Sequence, residues 1–248
     1  MPGSDIMETK RKIEVCFSPS IFPEFRNDEA IVVIVDILRA TSAIVTAFMN
    51  GAQRIIPVAT LEEAQEYKQK GYLVAAERDG IVRDFADFGN SPYNFRREII
   101  EGMDIVYSTT NGTNCITMAH NSFRVLIGSY LNLDAIVDYV IKENRDILIL
   151  CAGWKNKFNL EDSLFAGALA ELVLKNNNFR TICDSTFASM DLWNIARHDV
   201  MGYIEKAAQR HRLKKNKLDD VLEYCHTLNL TRLIPVLKNN YLTLVDNL

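Results

Sequence analysis

The chain has 248 residues, 48% hydrophobic and 24% charged, ordinary proportions for a folded protein large enough to bury a substantial core. With 28 basic against 32 acidic residues its net charge is −4, so no global field favours nucleic acid or an anionic membrane, and an anionic ligand must be attracted locally. No stretch approaches the roughly 20 apolar residues of a membrane span, and Met1–Glu8 lacks the apolar run of a signal segment, so a cytoplasmic location is expected.

After a charged leader, Ile13–Phe17 reads as a short strand. Ile31–Val35 is a run of branched apolar residues, the pattern of a strand buried on both faces, and Asp36 stands where it should end. Thr41 and Ser42 are N-cap candidates for a helix over Ser42–Met49, stopped by Asn50-Gly51. In open α/β sheets ligands sit at such strand-to-helix turns. Arg54–Val58 reads as the next strand, Leu61–Lys70 as an amphipathic helix, and Tyr72–Ala76 as a strand ending in Glu77-Arg78-Asp79-Gly80. Periodicity is lost from Ile81 to Pro92, and a loop of that length in a compact domain points to function.

A second series follows: strand Asp104–Tyr107, turn Ser108–Thr113, helix Asn114–His120, strand Arg124–Ile127 and helix Leu133–Glu143. At an offset of about 72 residues, without gaps, Thr41 falls on Thr113, Ile44 on Ile116, Ala47 on Ala119, Ile55 on Ile127 and Leu61 on Leu133. Since the element types also stay in register, the spans 31–70 and 104–143 are expected to be two copies of one βαβ plan.

A third unit runs from strand Asp146–Leu150 through Cys151-Ala-Gly-Trp154 to a helix over Leu160–Leu174, with Asn159 and Asp162 spaced as a capping box. Phe179–Cys183 reads as a strand, Thr186 to about His211 as a long helical region, and Lys214–Lys217 as the break before a helical tail, so 186–248 is expected to be helical. No Pro-, Gly- or Ser-rich linker interrupts the chain. The expectation is one α/β domain over 1–248, three-layer α/β/α with a mostly parallel sheet.

Four loops carry candidate chemistry: Asp36–Thr41, Glu77–Pro92, Ser108–Thr113 and Cys151–Asp162. The Thr109–Thr113 turn offers hydroxyls, an amide and backbone N–H groups of the kind that hold phosphate, although taken alone a helix cap accounts for it better. Asp36, Glu77 and Asp162 have the composition of a hard-cation site, and Arg39 and Arg78 supply planar donors for an anion. The chain has no GxxxxGK[ST], GxGxxG or HExxH motif. Leu38 replaces the second aspartate of a haloacid dehalogenase turn, and Lys157 the arginine of a cysteine-phosphatase loop. The five cysteines, Cys16, Cys115, Cys151, Cys183 and Cys225, lack CxxC spacing and read as buried free thiols; the four histidines fall on helical stretches without ligand spacing.

Val35-Asp-Ile-Leu-Arg-Ala-Thr41, Asn50-Gly-Ala52, Glu77-Arg78, Gly89-Asn-Ser-Pro92, Thr109-Thr-Asn-Gly-Thr113, Cys151-Ala-Gly-Trp154, Glu161-Asp162 and Ala166-Gly167, in that order, resemble the 2-phosphosulfolactate phosphatase family. The resemblance implies Mg²⁺-dependent hydrolysis of 2-phospho-3-sulfolactate to 3-sulfolactate and phosphate, a step toward coenzyme M. The chain departs from the family pattern at Ala76, where a Gly is expected before Glu77, and at Phe85-Ala86, where a Gly-Phe pair is expected before Gly89-Asn90, a difference that bears on substrate choice rather than reaction type.

On this resemblance Mg²⁺ would be held by some of Asp36, Glu77 and Asp162, and the expected catalytic residues are Asp36, Arg39, Glu77, Asn111 and Thr113. Substrate binding is expected from Thr41, Asn90, Ser91, Thr109, Thr110, Gly112, Gly153 and Trp154, with Arg78 or Lys155 holding the far anionic end. The expected partner is a small anionic phosphorylated substrate, with no nucleic acid and no membrane; a homo-oligomer is compatible with the long helical region. Two alternatives stand beside this one: a phosphatase of another small phosphorylated carboxylic acid, and a non-catalytic binder of phosphorylated metabolites.

Overall fold

A computed structural model of the protein describes residues 10–246, so the expectation for Met1–Glu8 lies outside the described residues. The chain begins with β1 (Arg11–Cys16), a short α1 (Phe22–Phe25), β2 (Ile31–Val35), α2 (Ala40–Met49), β3 (Arg54–Pro57), α3 (Leu61–Gln69), β4 (Leu73–Arg78) and β5 (Ile81–Val82). It continues through α4 (Arg97–Ile100), β6 (Asp104–Ser108), α5 (Gly112–Met118), β7 (Arg124–Gly128), α6 (Leu133–Glu143), β8 (Ile147–Cys151) and α7 (Leu160–Leu174). The last part comprises β9 (Phe179–Arg180), α8 (Asp184–Ala196), α9 (Val200–Ile204), α10 (Ala208–Lys215), α11 (Leu222–Cys225), β10 (Pro235–Lys238) and β11 (Tyr241–Leu244).

These strands form one sheet in the order β5-β4-β6-β3-β11-β10-β7-β2-β8-β1-β9. The runs without polar residues, Ile31–Val35 and Ile147–Cys151, become interior strands with every residue buried, as a sheet covered on both faces requires. One core lies under α6 and α7; a second joins α2 and α5 to residues of β2, β3, β6 and β8. The fold is three-layer α/β/α.

The pairing is mostly parallel, in two blocks. β7-β2-β8-β1-β9 form one and β4-β6-β3 the other, and three successive antiparallel pairings through the β10–β11 hairpin set the blocks in opposite directions. The hairpin meets each block through a single residue pair, Val236 with Leu126 and Leu242 with Ile55. On a flat sheet the ends of β2 and β6 would lie roughly 24 Å apart, five strand spacings of about 4.8 Å. Instead the Tyr107 hydroxyl on β6 donates to the Ala40 carbonyl at the start of α2, over 3.3 Å. The sheet is therefore bent at the hairpin seam, which brings the two blocks around α2 and α5.

Three expectations are corrected. The C-terminal stretch is not wholly helical: Asn239 and Asn240, at φ +50° and +70°, form a two-residue turn between the apolar segments of β10 and β11. Both central residues at positive φ is the type I′ signature that matches strand twist. The long helical region breaks into α8, α9 and α10, because Asp199 starts a new helix by accepting from Gly202 N–H at 2.9 Å. Finally, α2 starts from Arg39 rather than from Thr41 or Ser42, whose hydroxyls bind back into the preceding turn. Among the described residues no helix is long and apolar enough to cross a membrane. All five cysteines are free; four are buried and Cys183 is half-buried.

Candidate active site

The turn after β2 is closed by its own polar groups. Asp36 N–H donates to the Thr41 hydroxyl at 3.1 Å, Thr41 N–H donates to the Asp36 carbonyl at 3.0 Å, and the Ser42 hydroxyl donates to the Ile37 carbonyl at 3.0 Å. Ala40 N–H points at Asp36 Oδ1 over 3.4 Å. Arg39 is buried, with Nη2 donating to Asn90 Oδ1 at 2.8 Å, so the Gly89–Pro92 loop orients the guanidinium.

The turn after β6 meets this one face to face. A Cβ on Gly112 would stand 2.8 Å from the Ala40 Cβ and 3.3 Å from Asp36 Oδ2, so the close approach requires glycine. Thr113 Oγ1 accepts from Thr109 N–H at 3.4 Å and donates to the Thr109 carbonyl at 3.1 Å, closing the turn. Glu77, at the end of β4, ties the turns after β4 and β6 together. Its Oε1 accepts from Thr110 N–H at 2.8 Å and the Thr110 hydroxyl at 3.1 Å, and its Oε2 from Gly80 N–H at 2.6 Å.

Asp162 performs the matching task on the other side. Its Oδ1 accepts from Ile37 N–H at 2.8 Å, and its Oδ2 from Gly153 N–H at 3.1 Å and Asn159 Nδ2 at 2.8 Å. The expected capping box does not form: Asn159 turns its amide N–H₂ toward Glu161 and Asp162, and the Asp162 carboxylate is taken by the two turns instead. Beyond Gly153, at φ +61°, Trp154 and Lys157 exchange backbone hydrogen bonds of 3.0 Å in both directions, forming a tight loop.

These loops line a cavity whose empty space, open mouth included, is about 510 Å³. Asp36, Arg39, Glu77, Asn90, Asn111, Gly153 and Trp154, all expected from sequence, line it. Thr41, Thr109, Thr110, Gly112, Thr113 and Asp162 stand behind that surface and fix the turns. Ser91 caps a short 3-10 turn through its backbone and does not line the cavity. Arg78 is spent on the Glu77 and Ala59 carbonyls and the Ser108 hydroxyl, and Lys155 forms a surface ion pair of 2.9 Å with Asp79. Neither lines the cavity.

Sequence reasoning missed the cavity's other wall. Gln209, Arg212 and Leu213 of α10 and the following Asn216 face Asp36 and Arg39 across the space. Their only signal was a basic run, Arg210 to Lys215, in an acidic chain, and nothing in it distinguishes the inward residue. Glu161 was grouped in a motif without a role; it is buried, its Oε1 accepts from Asn159 Nδ2 at 3.1 Å, and its Oε2 has no partner among the described residues.

Burial dominates the electrostatics. Desolvation, with repulsion from Glu77 and Glu161, pushes the Asp36 carboxyl up to about 7, against lowering by Ala40 N–H and Arg39. Desolvation raises Asp162 well above the usual carboxylate range, aided by Asp36 and Glu161, and raises Glu161 as well. Arg39 is itself lowered by burial. The site thus holds more buried negative charge than its one buried arginine neutralises. Among the described residues no three Asp, Glu, His or Cys side chains form a ready-made metal cluster.

Comparison with known proteins gives this geometry its context. The sequence model of the family described as 2-phosphosulpholactate phosphatase matches residues 16–240. A Thermotoga maritima protein named "Probable 2-phosphosulfolactate phosphatase" is 37% identical over 214 aligned positions, 86% of this chain and 92% of that protein. Proteins of the same name from Clostridium perfringens and Clostridium acetobutylicum are 32% and 30% identical, covering 95% and 92% of this chain and 97% and 98% of their own lengths. The motifs that line the cavity and fix its turns all fall within the matched span, and the chain belongs to the 2-phosphosulfolactate phosphatase family, a family of phosphoric monoester hydrolases.

Proposed function

We propose that the protein hydrolyses 2-phospho-3-sulfolactate to 3-sulfolactate and phosphate with the help of Mg²⁺. The observation that carries this reading is the convergence of Asp36, Glu77 and Arg39 in one cavity, where buried carboxylates outnumber buried cations. The departures from the family pattern, Ala76 and Phe85-Ala86, pack into the apolar cluster with Val58, Ala64 and Val74 and do not line the cavity, which favours the family's substrate over another phospho-acid.

The residues present fit a hard divalent ion. Two buried carboxylates, Asp36 and Glu77, face the cavity, the Glu161 Oε2 has no donor among the described residues, and the raised carboxyls would be relieved by added positive charge. Mg²⁺ uses one or two carboxylates and keeps waters and substrate oxygens for the rest of its shell, a demand that Asp36 and Glu77 would meet. Asp36 and Glu77 would hold it, while Asp162 holds the turns. Bound there, the ion would supply Lewis-acid polarisation of a phosphoryl oxygen and acidify water.

Arg39 would bind the phosphoryl group through the guanidinium donors that Asn90 leaves free, in the position fixed by that 2.8 Å bond. Asn111 adds a neutral side chain to the same wall, and its Oδ1 accepts from Lys155 N–H at 3.3 Å, which sets the amide's direction. Leu38, Leu213 and Leu218 of the lining would help to exclude water.

Phosphate release from synthetic 2-phospho-3-sulfolactate tests the reading. Turnover is expected with Mg²⁺, loss on EDTA and recovery on adding Mg²⁺ back, and Asp36→Ala should lower kcat by about 100-fold or more. Absence of phosphate release from this compound, or turnover indifferent to EDTA, overturns it.

A further inference from the structure

Proposed hydrolysis accounts for the phosphate end of the cavity but not for the wall that α10 supplies. Arg212 stands there in a built setting. Its guanidinium carbon lies 4.1 Å from the centre of the Trp154 ring, stacked on a residue of the loop after β8. Its Nε donates to Gln209 Oε1 at 2.7 Å, and Gln209 Nε2 donates to the Leu38 carbonyl at 2.8 Å, in the turn between Asp36 and Arg39. One nitrogen and one face of the guanidinium are thus used to orient it, and the orientation is relayed to the turn after β2.

The two terminal nitrogens are left over. Among the described residues Arg212 forms no ion pair, and only its Nε donates a hydrogen bond. Glu161 and Asp79 act on it through space, and burial lowers its pKa, so it is a partly desolvated cation facing a cavity without a carboxylate clasped to it. The other candidates for a second cationic contact are occupied: Arg78 by three acceptors and Lys155 by Asp79. An end-on pair of guanidinium N–H donors, held flat by stacking, matches the oxygens of a tetrahedral sulfonate in a way a lysine ammonium does not.

Resting on the substrate reading above, we propose that Arg212 is the specificity-determining residue of this site and binds the sulfonate, the anionic group on the carbon next to the one that carries the phosphate. Arg39 and Arg212 then divide the two groups: one buried beside the carboxylates for the phosphoryl group, the other on α10 for the sulfonate. Gln209 and Trp154 are positioning residues for Arg212.

The test compares wild type with Arg212→Gln and Arg212→Lys on 2-phospho-3-sulfolactate and on 2-phospholactate, which keeps phosphate and carboxylate but lacks the sulfonate. Losing a charge-assisted pair of this kind should lower the kcat/KM preference for the sulfonated substrate by about 10- to 100-fold, with the loss carried by KM, and lysine should recover little of it. In parallel, calorimetric titration with 3-sulfolactate reads the contact without turnover, and Arg212→Gln should weaken that affinity by a similar factor. Wild-type turnover with an unchanged preference in Arg212→Gln overturns the Arg212 assignment and leaves the hydrolysis standing. Sulfolactate binding that depends on Arg212, without phosphate release from either substrate, overturns the hydrolysis and supports the assignment. Neither turnover nor binding overturns both.

Discussion

Replacing Asp36 with asparagine should make the metal-free protein more stable while abolishing its activity. Asp36 is buried, and desolvation with the charges of Glu77 and Glu161 raises its carboxyl from the ordinary 3.8 to about 7. A carboxyl whose folded value lies above its unfolded one favours the fold fully below pH 3.8, and that advantage is lost as the pH rises through 7. Each pH unit between the two values is worth about 1.4 kcal/mol, so ionised Asp36 costs the fold on the order of 4 kcal/mol at pH 8. Asparagine removes that cost and keeps an oxygen for Ala40 N–H, giving up about 1 kcal/mol of charge-assisted bonding. At roughly 2–4 °C per kcal/mol for a chain of this length, thermal unfolding in EDTA at pH 8 should shift upward by about 6–12 °C. The gap should close as the pH is lowered toward 4. Mg²⁺ should then raise the midpoint of wild type but not of the variant. An upward shift of the same size at pH 5 and pH 8, or a wild type that is the more stable at pH 8 in EDTA, refutes the argument that ionic burial at Asp36 is a cost the fold carries for its site.

Two further substitutions probe how the turns are held. Asp162→Ala strands the N–H groups of Ile37 and Gly153 and the Asn159 amide in a buried setting, and at about 1–3 kcal/mol per orphaned donor, less the relieved burial of the carboxyl, it should lower unfolding free energy by about 2–4 kcal/mol in urea; a loss below about 1 kcal/mol contradicts its keystone role. Gly153→Ala puts a Cβ 2.1 Å from the Lys157 carbonyl oxygen at a backbone φ of +61°, so the Trp154–Lys157 loop must shift. That variant should raise KM for the sulfonated substrate, since Trp154 carries Arg212, while an unaltered KM indicates that the stacking is dispensable.

What could be read from the sequence divides along physical lines. Ile31–Val35 and Ile147–Cys151 announce themselves because a strand buried on both faces tolerates no polar residue; Leu133–Glu143 keeps its bounds because eleven residues repeat the apolar period often enough, whereas Leu160–Leu174, buried on nearly every side, is marked by the length of its apolar run. The β10–β11 hairpin was hidden because four-residue strands carry little periodicity, and its Asn239-Asn240 turn lay in a stretch already read as helical. For the site, charged residues directly after apolar strands were found readily. Their direction was not: Arg39 lies in the turn after β2 and Arg78 ends β4, yet Arg39 enters the cavity while Arg78 turns onto three acceptors behind it. Arg212 lay out of reach for a different reason. Which face of α10 points inward depends on Gln209 docking on Leu38, a contact spanning 171 residues.

We propose that the two copies read in the sequence are one internal repeat, which accounts for the meeting of the two turns. The first copy's opening strand, β2, lies between β7 of the second copy and the β8 that follows that copy, and the second copy's opening strand, β6, lies between β3 of the first copy and the β4 that follows it. This exchange, with the blocks antiparallel across the hairpin, has the form of a twofold relation that passes through the β10–β11 seam. Residues near such an axis meet their own counterparts, and the turn after β2 accordingly touches the turn after β6 at Ala40 and Gly112. Both turns close in a similar way, Thr41 accepting from Asp36 N–H and Thr113 from Thr109 N–H. The copies differ where the chemistry is proposed: Ser108 replaces Asp36 and Asn111 replaces Arg39. Duplicating the charged pair would have placed a second carboxylate and a second guanidinium at the same small space, adding desolvation cost without adding geometry. A neutral second copy instead leaves Asp36 and Arg39 beside uncharged polar groups, in a cavity whose opposite wall comes from α10, outside both copies.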